Sequence, residues 1–297
     1  MMKALYSGVS GMRSHQTKMD VIGNNIANVN TNGYKTQRTT FRDVYYQQLK
    51  NPGAGSVDRG GTNAAQVGYG TQVGSVDTIH TISGYGPTNK PTDVYINGEG
   101  YFTVETSTGD RLYTRLGALG FDSAGNLVDV NGSRVFGWNK DHVKTDTDGK
   151  ISVDGDIEAI NIAPASKDIE YTNITINGDG TITAVYNNKA NDKDANNDKI
   201  VTLGLISVAN IENQDALILE GNSYYRASNN TGDITYAIPG SKGSGTGALV
   251  AGGLEMSNVD LANEFSDMIV TQRGFQANTK IISVVDQMLE ELVNLKR

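Results

Sequence analysis

Apolar residues recur every seven positions at both ends of this chain. Near the N-terminus they are Leu5, Met12, Met19 and Ile26; near the C-terminus they are Leu261, Met268, Phe275, Ile282 and Leu289. A seven-residue apolar repeat draws a narrow stripe along a helix, suited to a partner helix rather than to a broad core. The long stretch between the ends is rich in Gly, Asn, Asp and Thr, and its apolar residues alternate with period two, the pattern of β-strands. The expected fold class is therefore α+β. The N- and C-terminal α-helices pair as a coiled coil, and a central, mainly antiparallel β domain lies between them in sequence. Such a chain is suited to polymerise through its termini.

At 297 residues the chain can bury one sizeable core or two small ones. Its hydrophobic fraction of 37% is low for a compact enzyme, and 35 glycines imply many tight turns. A net charge of −8 argues against nucleic acid as a partner, which wants a basic face. The absence of cysteine excludes disulfides, thiolate metal sites and cysteine nucleophiles. No apolar run approaches the roughly 20 residues of a membrane span, so membrane insertion is not expected. The opening string MMKALYSGVSGMRSHQTKMD lacks the continuous apolar core and cleavage site of a secretory signal peptide. If the protein is extracellular, it leaves the cell by another route.

Residues 1–29 are predicted as an N-terminal helix, its stripe widened by Val9, Ile22 and Val29. Gly8, Gly11 and Gly23 each cost about 1 kcal/mol relative to Ala, and Gln16 interrupts the seam. Two readings stay open: an amphipathic helix on a core, or a segment that orders only on assembly. Residues 258–297 form the C-terminal helix, about 58 Å long if helical throughout. Ser257 or Asn258 is its expected cap, and Asp260 and Glu264 favour its positive end, as Lys296 and Arg297 favour its negative end. Phe265, Ile269, Val285, Met288 and Leu292 widen its stripe, while Gly274 marks a local cost or a close approach. The candidate self-assembly residues are Leu5, Val9, Met12, Met19, Ile22 and Ile26 on the first helix. On the second they are Leu261, Phe265, Met268, Phe275, Ile282, Leu289 and Leu292.

Residues 30–70 read as a connector arm: a turn at Asn32-Gly33, a short helix or extended arm around Phe41 to Leu49, then a Gly-rich loop over 51–70. Residues 71–247 read as the β-rich domain, with 139–200 as an elaboration of it, and 248–257 as a return connector. Asn97-Gly98-Glu99-Gly100 is the expected turn of a hairpin. Further turns are expected at 124–126, 131–132, 148–149 and 177–180, Asn187 to Lys199 reads as an exposed loop, and Ser241 to Gly247 reads as a linker.

Sites of chemistry are not evident. His15, His80 and His142 are scattered through different elements, with no metal-ligand spacing. No Gly-x-Ser-x-Gly elbow occurs, and Gly243-Ser-Gly-Thr-Gly lacks the lysine of a phosphate-binding loop. Two acidic loops approach calcium-ligand spacing. Asp146, Asp148 and Gly149 match three positions, but Lys144 and Gly155 fall at the first and last ligand positions. Asp192, Asp194, Asn196 and Asp198 are suitably spaced, but Asn197 replaces the turn glycine and Leu203 the closing Glu. Solvated turns are the simpler reading of both. The expectation is no catalytic residue, no cofactor and no metal.

Three strings carry a more specific signal: MDVIGNNIANVNTNGYK at 19–35, DVYINGEGYFTV at 93–104 and LEMSNVDLANEFSDMIVTQRGFQANTKIISVVDQMLEELVNLKR at 254–297. Together and in this order they resemble the flagellar rod and hook family of bacterial axial proteins, over roughly a third of the chain. The resemblance implies a structural protein, not an enzyme, whose terminal helices form an inner coiled-coil tube under an outer β layer. It places Asn24, Asn25, Asn28, Gly33 and Tyr34 in the motif where the N-terminal helix meets the arm, where their amides would satisfy backbone groups at the helix exit. MSNVDLANEF, IVTQRGFQAN and ELVNLKR look most like hook members of the short Gram-positive kind. The expectation is thus a hook subunit that assembles into a flexible tubular joint and carries torque from rod to filament, with Gly-rich joints at 51–70 and 239–247 letting its layers shift. The alternative is a distal rod subunit, a rigid drive shaft. A secreted β-rich binding protein with oligomerising helices is a more distant reading. By resemblance the partners are the chain itself, the distal rod protein, the hook cap, the hook–filament junction protein and the flagellar type III export apparatus. The location implied is the extracellular hook region of the flagellum, reached without a cleaved signal peptide.

Overall fold

The computed structural model describes residues 2–55, 60–145, 151–163, 169–188, 198–241 and 243–295. The chain divides into two compact units. One comprises residues 1–29, 36–79 and 259–297; the other comprises 30–35 and 80–258. The expected α+β class is observed, with a helix at each end and antiparallel strands between.

The first unit is built on two helices, α1 (Met2–Ala27) and α2 (Leu261–Asn294). They run antiparallel: Gly8 faces Ile282, Gly11 faces Asn278, Gly274 faces His15, and Lys18 pairs with Asp267 at 3.1 Å. On α2 the packed line follows the sequence stripe. Met268, Phe275, Ile282 and Leu289 are half-buried, and between them Thr271 and Val285 are fully buried. On α1 the buried line lies one step to the side of the apolar stripe. It consists of Gly8, Gly11, Ser14, Ile22 and Asn25, while Leu5, Val9, Met12, Met19 and Ile26 are half-buried. The α1 glycines are therefore contact points. A Cβ on Gly8 would sit 3.2 Å from the Ile282 side chain, and one on Gly11 2.9 Å from the Asn278 amide. Small residues let two helices approach closely, which partly offsets the cost that glycine imposes within a helix. The cap of α2 is Asp260, not Ser257 or Asn258: its carboxylate accepts from Ala262 N at 2.9 Å and Asn263 N at 3.3 Å.

Four strands complete this unit: β1 (Gln37–Asp43), β2 (Tyr46–Lys50), β3 (Ala65–Gly68) and β4 (Thr71–Thr78). β1 pairs with β4 and β2 with β3, both antiparallel, and bonds from Val44 N to Gly70 O and from Tyr69 N to Tyr45 O join the two ladders into one ribbon. The region around Phe41 to Leu49 is thus extended rather than helical, and the Gly-rich stretch expected as loop contributes β3. Residues 71–78, read from sequence as the start of the β domain, belong to this ribbon. A two-stranded ribbon is marginal alone. This one is held to α1 by Ser14 Oγ donating to Thr71 O at 3.3 Å and by an edge contact of His15 on Phe41 with ring centroids 5.8 Å apart.

The second unit centres on a 13-stranded antiparallel sheet. Its main path runs Ile169–Ile176, Thr181–Asn188, Ile200–Ile206, Arg134–Asn139, Tyr101–Glu105, Arg111–Thr114, Tyr224–Arg226 and Ile218–Gly221. Val94, Phe102, Val104, Leu127, Val135, Ile160 and Val208 are fully buried in its principal core. A second cluster gathers Tyr101, Tyr113, Ala209, Ile211 and Tyr225. Asn97-Gly98-Glu99-Gly100 is not a hairpin turn. Val94–Asn97 pairs with Ala248–Ala251, whereas Tyr101–Glu105 joins the large sheet. The chain changes sheets here because Gly98 and Gly100 adopt φ of 144° and 124°, and a Cβ on Gly98 would lie 2.5 Å from the Gly247 backbone. Residues 248–257 are correspondingly not a free connector, since Gly253–Glu255 also pairs, with Tyr85–Pro87. Nor is the turn before them a loose linker. Gly240 N donates to Gly247 O, Gly247 N to Glu99 O, and Asn210 Nδ2 to Ser244 O. Of the two acidic loops, Asp146, Asp148, Gly149, Asp192, Asp194, Asn196 and Asn197 lie outside the described residues.

Gly117 tests how tightly this unit is closed. A Cβ there would lie 1.8 Å from Val94 O, a backbone atom that cannot move alone, whereas one on Gly120 meets nothing within 4 Å. Gly117→Ala is expected to destabilise the β unit by about 3 kcal/mol or more, and Gly120→Ala by less than about 0.5 kcal/mol. Urea unfolding followed by the fluorescence of Trp138, the single tryptophan, measures both.

Candidate assembly surface and helix-exit motif

The helix exit is governed by asparagine amides. Asn28 closes the last turn of α1: its N–H reaches Asn24 O at 3.1 Å, and its Nδ2 donates to Asn24 O and Asn24 Oδ1, both at 2.9 Å. Asn25 is buried and acts as a staple. Its Nδ2 donates to Gln37 O at 2.8 Å while its Oδ1 accepts from Gln37 N at 3.0 Å, so one amide satisfies both backbone groups of the first residue of β1. The same Nδ2 lies 3.0 Å from Glu264 Oε1 in the first turn of α2. Burial pushes the Glu264 carboxyl up, while the bonds from Asn25 and Thr36 hold it back. The first unit thus joins helix exit, ribbon start and α2 start at one polar point. Sequence reading singled out the asparagines for this motif, and Glu264 only as an acid at the positive end of the C-terminal helix.

The rest of the motif serves the second unit. Gly33 has φ of 72°, and a Cβ there would press 3.2 Å from Leu116 N. Its N–H donates to Glu255 O at 2.8 Å. Tyr34 N reaches Thr31 O at 3.3 Å, tightening the turn. Lys35 carries the largest consequence. Its Nζ is buried, 2.6 Å from Glu255 Oε1 and 2.7 Å from Thr81 O. Ser83 N also donates to Glu255 Oε1, at 3.1 Å. Arg115, equally buried, lies 3.6 Å from Glu255 Oε2, donates to Gly98 O at 2.9 Å and stacks 5.2 Å from the Tyr101 ring centroid. Burial pulls the Lys35 ammonium below its usual value and Glu255 pulls it back. Lys35, Arg115 and Glu255 were not singled out from sequence. The signal available was a lysine inside the 19–35 string and a glutamate inside the 254–297 string.

His80 stands beside this network. Tyr101 Oη lies 2.8 Å from its Nδ1 and its ring packs on Tyr225. Burial lowers its pKa to about 4, aided by Lys35 and Arg115 and opposed by Asp215. No arrangement here or elsewhere among the described residues places three or more His, Asp or Glu side chains to hold a metal ion.

The assembly candidates divide by exposure. Ile22 is buried, Met268, Phe275, Ile282 and Leu289 are half-buried, and Ile282 lies against Gly8 of α1. Leu261, Phe265 and Leu292 are exposed, together with Ile269, Val284, Met288 and Val293.

Removing Glu255 leaves two buried cations uncompensated. Glu255→Ala is expected to cost about 3–5 kcal/mol, read as a lower urea midpoint by Trp138 fluorescence. His80 gives a pH dependence of defined sign. Its folded pKa lies below the unfolded value of about 6.5, so the unfolded state binds more protons between them. Stability is full above about pH 6.5, falls as the pH drops towards about 4, and then levels off. His80→Gln is expected to flatten that part of the melting-temperature profile.

Comparison with known proteins agrees with this architecture. The family model "Flagella basal body rod protein" matches residues 5–35, "Flagellar hook protein FlgE/F/G D1 domain" matches 95–184, and "Flagellar basal body rod FlgEFG protein C-terminal" matches 250–295. The flagellar basal-body rod protein FlgG of Bacillus subtilis (strain 168) is 42% identical over 297 residues, covering all of both chains. FlgG of Buchnera aphidicola subsp. Acyrthosiphon pisum is 33% identical over 99% of this chain and all of its own. The flagellar hook protein FlgE of Borreliella burgdorferi is 29% identical in an alignment of 444 positions that covers both chains entirely. With its terminal helices, its β unit and full-length relatives of this kind, the chain belongs to the flagellar rod and hook family of axial proteins, whose members are structural components and not enzymes.

Proposed function

We propose that the chain is a rod subunit of the flagellar basal body, a self-assembling element of a stiff drive shaft rather than of the flexible hook. The observation that carries this reading is length together with identity. The Bacillus subtilis rod protein aligns at 42% over 297 positions with both chains fully covered, whereas the Borreliella burgdorferi hook protein needs 444 positions at 29%. Such hook proteins carry sequence for which this chain has no counterpart. The hook role favoured from sequence motifs becomes the alternative.

In this reading Leu261, Phe265 and Leu292, with Leu5, Val9 and Met12 on α1, contribute contacts between copies. Burying an exposed Leu or Phe is worth about 1.5–3 kcal/mol, so a few such side chains per interface hold a polymer whose other contacts are polar. The structural glycines of the turn at 240–247 are bonded into the β unit, which suits a rigid part better than a sliding joint. Export by the flagellar type III apparatus and location in the basal body complete the proposal.

Electron microscopy of the concentrated full-length protein tests it together with genetic complementation. The expected results are straight, unbending tubes and restored motility in a strain lacking its rod protein of this class. Curved, bendable tubes and rescue of a hookless strain alone would overturn the rod assignment in favour of the hook.

A further inference from the structure

The chain holds four Asn-Gly pairs: Asn32-Gly33, Asn97-Gly98, Asn131-Gly132 and Asn177-Gly178. In such a pair the glycine nitrogen can attack the asparagine side-chain carbon, because glycine puts no Cβ in the path. The fold withholds three of the four from this reaction. Gly33 is buried, and its N–H is committed to Glu255 O at 2.8 Å. Gly132 N donates to Asp129 O at 3.1 Å, while Asn131 Nδ2 is held by Tyr224 Oη at 3.0 Å. Asn97 is paired in its strand with Ala248. Gly98 O accepts from Arg115 Nη1 at 2.9 Å, and the Gly247 backbone presses so close that a Cβ on Gly98 would lie 2.5 Å from it. That backbone has no room to turn into a ring.

Asn177-Gly178 differs on each count. Both residues are exposed, at the head of the turn that joins Ile169–Ile176 to Thr181–Asn188. The turn closes through Gly180 N to Asn177 O at 3.0 Å and Asn177 N to Thr181 O at 2.9 Å, with Gly180 at φ of 84°. Gly178 N–H has no hydrogen-bond partner among the described residues. Asn177 Nδ2 donates to Thr181 Oγ1 at 2.9 Å and lies 3.4 Å from Thr183 Oγ1, and Thr181 Oγ1 donates in turn to Asp179 Oδ1 at 2.7 Å. The nitrogen that has to leave already touches a hydroxyl able to give it a proton. We propose that Asn177 is a site of self-deamidation, selected from the four pairs by the fold. Gly178 N–H loses its proton to hydroxide, and the nitrogen bonds to Asn177 Cγ. The Cγ–Nδ2 bond breaks, and Nδ2 takes the Thr181 hydroxyl proton and departs as ammonia. Water reprotonates Thr181 and restores the hydroxide. A second water opens the cyclic imide at either carbonyl, leaving aspartate or isoaspartate at position 177. The product sets a new carboxylate beside Asp179 and removes the donor to Thr181. The hairpin concerned is the end of the main sheet path, so the change stays local and the core is left in place.

The test is a time course of the full-length protein held folded at mildly alkaline pH. Ion exchange follows the more acidic species, whose net charge passes from −8 to −9. Peptide mapping with enzymatic methyl labelling of isoaspartate locates the site. The expected result is label in the peptide containing Asn177 well ahead of the other three pairs, and none there in Asn177→Gln, whose longer side chain closes a ring far more slowly. Thr181→Val keeps the branched shape but removes the hydroxyl, and is expected to slow the reaction about tenfold, a small effect for a positioned proton donor because water can stand in for it. Trp138 fluorescence verifies that both variants are folded. Label arising first at Asn32, Asn97 or Asn131, or never at Asn177, would overturn the proposal. An unchanged rate in Thr181→Val would overturn the part given to the hydroxyl. In urea the four pairs are expected to react at similar rates. The same preference for Asn177 in urea would show that the local sequence selects the site, and would overturn selection by the fold.

Discussion

The second unit depends on one buried carboxylate. Glu255 holds Lys35 at 2.6 Å and accepts from Ser83 N, while its own backbone carbonyl takes the N–H of Gly33. These partners come from the three stretches at which the chain leaves or enters this unit: the segment ending at Lys35, the one beginning at His80 and the one ending at Asn258. Asn258 Nδ2 to Thr81 Oγ1, at 3.0 Å, and Ser83 Oγ to Ser257 O, at 2.8 Å, add neutral bonds between the same stretches. A buried ion network is seldom a source of net stability, because desolvating the charges consumes most of their attraction. Its use is specificity. A register in which Glu255 missed Lys35 and Arg115 would strand a carboxylate and two cations in a dry interior. The network therefore penalises every wrong arrangement of three segments far apart in sequence.

The helical unit is organised by a different economy. Its interface is small and polar on α1, with Gly8, Gly11, Ser14 and Asn25, and larger and more apolar on α2. A seam of this composition brings the backbones together but buries little apolar area from α1. Its larger side chains, Leu5, Met12, Met19 and Ile26, remain at the margin of the pair, and Phe265, Ile269 and Leu292 point away from it. Within one chain this leaves the pair short of burial. In the proposed assembly these exposed and half-buried side chains would supply contacts between copies.

Much of this was legible in the sequence, and the failures share a cause. The α2 stripe from Met268 to Leu289 needed only helical periodicity, and the β middle only alternation and turns. Gly8 and Gly11 were readable as helix-weakening but not as contacts, because a glycine's value at an interface depends on what faces it. Asn97-Gly98-Glu99-Gly100 has the composition of a hairpin turn, yet its glycines are required by the Gly247 backbone pressing from a distant part of the chain. The pairing of β1 with β4 spans the Gly-rich stretch, so local pattern placed its two strands in different domains. Lys35, Arg115 and Glu255 were invisible because charged side chains are almost always solvated; only their mutual distances make burial tolerable.

The division between the units also bears on how a family can vary its mechanics on one plan. Side chains at the surface of α2 and in the ribbon are exposed and tolerate change without unfolding their unit. The Glu255 network and the sheet-switching glycines do not, since each meets backbone or charge from a remote segment. Surface residues are thus free to vary, while the path of the chain through the β unit stays fixed. Rod and hook members can accordingly share the terminal strings and the β-unit string while differing in length and in assembled behaviour. A resemblance confined to those strings identifies the family more readily than the member.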